Sequence, residues 1–175
     1  AATAVAQADE PIDIGSRREL LIDQHLIDSL DGTQLVLNRP RDMGVAVKFD
    51  APWEGAFCGY CTVIKDGDKF RAYYRGLPQA RRDGSNSEVT CVAESDDGIH
   101  WTKPNVGIFE VDGSKQNNVI LANHAPFSHN FCPMLDTREG VPAEQRYKAL
   151  AGTRKTGLVP FVSADGLQWE KLRDE

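Results

Sequence analysis

The residues with the clearest chemical potential lie in two short runs. In Asp50-Ala51-Pro52-Trp53-Glu54-Gly55, a carboxylate adjoins an indole. Apolar neighbours of this kind can turn a carboxylate into a proton donor, and an indole face can stack on a sugar ring. Glu54 is therefore the first candidate for acid/base chemistry and Asp50 the second. An equally simple reading makes Glu54 a loop acid that caps a backbone amide. In the second run, Ser128-His129-Asn130, an imidazole and an amide are suited to binding hydroxyls, or to forming a turn. Arg75, which ends Tyr73-Tyr74-Arg75, could hold a carboxylate or sulfate, or be an ordinary surface arginine. Trp53, Arg75, His129 and Asn130 are thus the candidate substrate-binding residues. Asp136 and Glu94 read as turn-forming. His124 and His129 are five apart, which is no zinc spacing, and no phosphate-binding loop, dinucleotide fingerprint or nucleophile elbow occurs, so neither metal nor cofactor is expected.

What must position these residues is a repeated unit. Ser95-Asp96-Asp97-Gly98-Ile99-His100-Trp101 recurs as Ser163-Ala164-Asp165-Gly166-Leu167-Gln168-Trp169, 68 residues on. Asp-Gly supplies the positive-φ position of a tight hairpin, and the Ser and Asp side chains can bond the turn's own amides. Upstream, Tyr60–Lys65, the turn Asp66-Gly67-Asp68 and Phe70–Gly76 correspond to Phe131–Leu135, a longer turn and Arg146–Gly152 when Gly76 is set against Gly152. Each unit reads strand, strand, strand, Asp-Gly hairpin, strand. The expected fold is all-β, with four-stranded antiparallel blades of a β-propeller: blade one at about 57–103, blade two at about 131–173. In such a blade the segments entering the innermost strands share one face with the second-to-third-strand loops. That face gathers Asp50, Trp53, Glu54, Arg75, His129, Asn130 and the 77–87 loop, while the repeated Asp-Gly turns lie at the opposite end.

Composition narrows the partners. The 175 residues are 41% hydrophobic and 26% charged, with a net charge of −6. An acidic balance does not suit a phosphate-tracking surface, so nucleic acid is not an expected partner. No apolar run has the roughly 20 residues of a membrane-spanning helix. Residues 1–16 read as a signal-peptide remnant or disordered tail, with small residues at alternating positions in Ala4-Val5-Ala6 and Ala6-Gln7-Ala8, which points to a secreted or periplasmic location. The partial propeller then occupies 17–175. Thr33–Leu37 alternates as a half-buried strand would. Two blades leave the ring open, so the chain reads as a fragment, inactive alone. Of the four cysteines, Cys58 and Cys132 begin the innermost strands of the two units. A disulfide between them and free thiols are both open.

Several of these runs together resemble exported proteins similar to the N-terminal domain of family 32 glycoside hydrolases. The resemblance rests on Trp53-Glu54-Gly55, Gly59–Gly67, Tyr73–Gly76, Ser95–Pro104, Asn117–Leu121 and Ser128–Asn130. It covers about residues 17–174. It implies the five-bladed propeller of families 32, 43, 62 and 68, with three carboxylates in a funnel and hydrolysis through an oxocarbenium-like transition state. Glu54 or Asp50 stands where the first of those carboxylates would be. The W-x-N-D-P-x-G, R-D-P and E-C motifs of family 32 are absent, which makes a glycan other than a fructoside the expectation. A non-catalytic propeller binding carbohydrate or protein through Trp53, Tyr60 and His129 is the alternative. A sialidase-like enzyme is a third reading, since the repeated turn resembles an Asp-box, though without its residue between Asp and Gly and without an arginine triad.

Overall fold

The computed structural model describes residues 10–173, and the small-residue run at 1–9 lies outside them. The chain divides into two units, the second beginning at Met43. Residues 10–42 of the first contain no strand or helix. Their turns are closed locally, as where Asp13 Oδ1 accepts from the Gly15 amide at 2.8 Å. The strand expected at 33–37 does not form: Val36 and Leu37 are 64% and 94% exposed and join no ladder. Alternation chooses which face of a strand is buried, but a strand also needs a neighbour for its N–H and C=O groups, and among the described residues this segment pairs with none.

The second unit holds two four-stranded antiparallel sheets, each in sequential strand order. The first comprises β1 (Gly59–Asp66), β2 (Lys69–Gly76), β3 (Val89–Ser95) and β4 (Val119–Leu121). The second comprises β5 (Cys132–Leu135), β6 (Tyr147–Thr153), β7 (Gly157–Ser163) and β8 (Glu170–Lys171). These are propeller-like blades, as the repeat predicts. Alternation along β2 explains the packing. Ala72 and Tyr74 face one core with Cys91, Ala93 and Val119, closed over by Phe49, Trp101 and Phe109. Tyr73, on the opposite face, packs with Val92, Ile120 and Tyr147 between the sheets. Trp169 joins this layer, edge-on to Phe131 at 4.9 Å and to Tyr73 at 6.3 Å between ring centroids.

The two Ser-x-Asp-Gly turns form the same network. Ser95 Oγ accepts from the amides of Asp97 and Gly98, and Asp97 Oδ1 accepts from those of Ile99 and His100. Trp101 Nε1 then donates to the Gly98 carbonyl. Ser163, Asp165, Gly166 and Trp169 repeat each of these bonds. Their surroundings differ. The second turn is wedged against the first sheet, where Arg71 Nη1 donates to the Asp165 carbonyl. A Cβ on Gly166 would meet Tyr73 Oη at 2.5 Å, whereas one on Gly98 would meet nothing nearer than the Phe70 ring at 3.8 Å.

Two details depart from the sequence reading. The first sheet takes its fourth strand from Val119–Leu121 rather than from 99–103, which contributes a single bridge between Glu94 and Thr102. The intervening 104–118 connection is spent covering the first core, with Phe109 and Val111 packed against it. Second, the ladders set Phe70 opposite Ser95 and Tyr147 opposite Ser163, so Arg75, not Gly76, corresponds to Gly152. The β2–β3 loop therefore has twelve residues, 77–88, against three, 154–156, between β6 and β7. Of the two readings left open for the cysteines, the structure shows free thiols at all four. Cys58 Sγ is turned into its own sheet, donating to the Arg75 carbonyl at 2.8 Å, away from any pairing with the exposed Cys132. Burial, then the charge of Glu54, pushes the Cys58 thiol up to about 12.

Candidate functional site

The start of β1, the end of β2 and the start of β3 meet at one end of the first sheet, and the segment before β5 joins them there. This end collects the sequence candidates, in two groups with different chemistry.

The first group surrounds Glu54. Its side chain is 0% exposed. Oε1 accepts from the Tyr74 hydroxyl at 2.5 Å, and Oε2 accepts from Lys103 Nζ at 2.6 Å and from the Ala51 amide at 2.9 Å. The last bond closes the turn in which the Glu54 amide donates to the Ala51 carbonyl. Behind it, Trp53 Nε1 donates to Asn118 Oδ1, and Asn118 Nδ2 donates to both Tyr74 Oη and the Val92 carbonyl. Lys103 links this buried chain to the surface, donating to Asp50 Oδ1 at 2.9 Å, with the Asp50 side chain 71% exposed. Burial acts to lower the lysine pKa, but bonding to Asp50 and Glu54 outweighs it and the net shift is upward. The same hydrogen bond from Lys103 lowers Asp50. In this arrangement Glu54 caps and anchors the 51–54 turn, enclosed by three donors, while Asp50 is the carboxylate that meets solvent.

The second group spans both sheets. Arg75 at the end of β2 and His129 before β5 converge on Glu88, a side chain with 0% exposure immediately before β3. His129 Nδ1 lies 2.9 Å from Glu88 Oε1, and Arg75 Nη1 lies 3.6 Å from that oxygen. Arg75 Nη2 donates to the Phe57 carbonyl at 2.9 Å. The guanidinium also covers the Tyr60 ring, 4.7 Å from its centroid, and the His129 ring meets Tyr60 at 5.3 Å, edge to face. Tyr60 is 57% exposed and has φ +53, in the left-handed region unusual for a bulky residue. It sits where the β1–β2 register shifts between Gly59 and Thr62, so a bulge re-aims the ring towards His129 and Arg75.

Asn130 is occupied otherwise. Its Nδ2 donates to the Gly152 carbonyl and its Oδ1 accepts from the Gly152 amide, a two-bond clamp on the end of β6. Asp136 bonds Arg138 and Lys148, which hold it well below the ordinary carboxylate range. Beside the Glu54 group a cleft of about 530 Å³ is lined by Trp53, Pro78, Gln79, Arg81, Asn86 and Glu110, among others. It brings Trp53 together with the long β2–β3 loop.

Sequence reasoning missed Glu88, Tyr74, Asn118 and Lys103. Glu88 carries a local signal, an acid directly before the apolar run Val89–Ala93, where a charge adjoining a buried strand calls for a partner. Lys103 carries none, since 49 residues separate it from Glu54.

No protein-family model matches this chain, and no curated protein matches it. Among solved structures, one described as a glycoside hydrolase is similar, with a TM-score of 0.45 and 18% identity over 76% of this chain. The chain spans 40% of that structure's length.

Proposed function

We propose that this chain forms part of a glycan-recognising β-propeller of the glycoside-hydrolase kind, binding carbohydrate on the face where the innermost strands begin. The observation that carries the reading is Tyr60. An exposed aromatic ring, held in a strained backbone conformation and backed by Arg75 and His129, is a preformed stacking platform with hydrogen-bonding groups at its edge. The cleft at Trp53, with its amides and charged side chains, extends the same polar and aromatic character. The propeller part of the reading draws on the repeated blade pattern. It also draws on the face of the second sheet turned away from the first, where Met134, Leu150 and Leu158 are exposed, as a further blade would require.

Hydrolysis is the second reading, favoured by the pair Asp50 and Glu54 sharing the Lys103 ammonium. In this reading Asp50 would be the group to meet substrate and Glu54 would fix the lysine that positions it. Location outside the cytoplasm belongs to the same proposal, since the substrate class is an extracellular polysaccharide.

The test is a panel of soluble polysaccharides and oligosaccharides, scored for binding and for release of reducing sugar, with Tyr60→Ala and Asp50→Asn beside the unmodified chain. Binding lost in Tyr60→Ala, with no release by any protein, supports recognition alone. Release that disappears in Asp50→Asn while binding persists supports the hydrolase. Binding to no glycan by the unmodified chain overturns both.

A further inference from the structure

Glu88 has no counterpart among the groups expected from sequence, and its surroundings decide the state of a neighbour. A carboxylate removed from water must be met by donors. The Gly84 amide supplies one to Oε2 at 3.1 Å. For Oε1 the nearest is His129 Nδ1 at 2.9 Å, with the Arg75 guanidinium farther off at 3.6 Å.

The imidazole could in principle hold its single proton on either nitrogen. Arg75 Nη1 also lies 3.0 Å from Nδ1, so a bare Nδ1 accepting from arginine must be weighed against a protonated Nδ1 donating to Glu88. A bare Nδ1 would press its lone pair against an anionic oxygen at 2.9 Å, in a pocket where the carboxylate has no water to turn to. By yielding, Arg75 gives up one bond beside an Nε that already lacks a partner, but it keeps its Nη2 bond to Phe57 O, its face on Tyr60 and its charge 3.6 Å from Glu88 Oε1. The carboxylate's demand is the larger, so the proton belongs on Nδ1. Among the described residues, Nε2 has no hydrogen-bond partner.

A cation is the competing occupant, since Asp83, Glu88 and His129 offer ligand atoms within 4.8 Å of one another. The Arg75 guanidinium argues against it. It stands 3.0 Å from one prospective ligand atom and 3.6 Å from another, and already supplies the positive charge there. A metal on Nδ1 would also require the proton to leave the nitrogen that Glu88 holds protonated.

We propose that Glu88 and His129 form a carboxylate–imidazole dyad that fixes Nε2 as a hydrogen-bond acceptor beside Tyr60, so that the site selects a ligand by one hydroxyl donor. His129 is the contacting residue and Glu88 a positioning residue acting through it. The hydroxyl rests on the carbohydrate reading above; the tautomer does not.

Long-range proton–nitrogen NMR on the full chain reads the tautomer without any ligand. The expected result is a His129 ring with its proton on Nδ1 and none on Nε2. A proton on Nε2 overturns the dyad. Adding Zn²⁺, Mn²⁺ or Ca²⁺ should leave the ring signals unchanged, and a stoichiometric shift with any of them would overturn it in favour of a metal site. Glu88→Gln presents an amide that can donate to Nδ1, and is expected to move the proton to Nε2.

With a sugar identified by the binding panel, its monodeoxy analogues are then compared. One analogue should bind the unmodified chain about ten- to a hundredfold more weakly than the parent, and the deoxyfluoro analogue at that position, which can accept but not donate, should bind as weakly as the deoxy one. Equal binding of every deoxy analogue overturns the hydroxyl-selective role. If no sugar binds while Nδ1 carries the proton, the carbohydrate reading fails and takes the assigned hydroxyl with it, but the fixed acceptor stands.

Discussion

The two Asp-Gly turns permit a comparison in which local sequence is held nearly constant and only the neighbourhood changes. Gly98 and Gly166 have φ of +76° and +73°, so an alanine at either carries the same backbone penalty, about 1 kcal/mol. At Gly98 the new Cβ meets the Phe70 ring at 3.8 Å, an ordinary contact. At Gly166 it meets Tyr73 Oη at 2.5 Å, Arg71 Nη1 at 2.9 Å and the Tyr147 ring at 3.0 Å, so the inter-sheet layer must shift. Overpacking of that kind adds about 1–3 kcal/mol. Gly98→Ala is therefore expected to cost about 1 kcal/mol and Gly166→Ala about 2–4 kcal/mol. Urea unfolding of the whole chain measures both. With a slope of about 2 kcal/mol per molar urea, the midpoints should fall by about 0.5 M and about 1–2 M respectively. Tyr73→Phe removes the atom nearest the added methyl, so in that background the excess cost of Gly166→Ala should shrink by about 1 kcal/mol. Equal midpoint shifts for the two alanines, or a larger one at Gly98, would refute the docking of the second turn on the first sheet.

Three other outcomes are expected. Lys103→Met leaves the fully buried Glu54 carboxylate with Tyr74 and Ala51 as its donors, and should destabilise the chain by about 3 kcal/mol; Glu54→Gln in the same background should recover much of that, measured by the same unfolding assay. Asp66, held low by the Tyr147 hydroxyl and Arg146, and Asp136, held low by Arg138 and Lys148, both have folded pKa values below their unfolded ones. Their contribution is complete above about pH 4 and is lost as the pH falls through the lower folded values, so melting temperature should drop steeply below about pH 4 and less steeply in Asp136→Asn. Tyr60→Ala should abolish binding of any glycan the chain takes up, with a urea midpoint close to that of the unmodified chain, because the exposed ring adds little to the core and alanine meets the same positive φ.

The repeated turn was legible because its bonds run between residues two and three apart, so Ser, Asp, Gly and Trp at fixed offsets carry their own geometry. The pairing of Gly76 with Gly152 was misleading for the complementary reason. Glycine similarity is weak evidence of register, whereas the ladders are set by which residues oppose the two serines. The strand at 33–37 failed because alternation describes a face and not a partner.

For the site, the residues themselves determined that carboxylates, an imidazole, an arginine and aromatic rings would gather where the innermost strands begin, since antiparallel blades bring the same strand ends to the same side. Only the tertiary structure decided what each group can do. It enclosed Glu54 under Lys103 and Tyr74, left Asp50 in solvent, spent Asn130 on the end of β6, and brought Glu88 under Arg75 and His129. Burial and long-range partners set those roles, and contacts such as Glu88–His129 and Glu54–Lys103, 41 and 49 positions apart, leave no periodic trace in a single sequence.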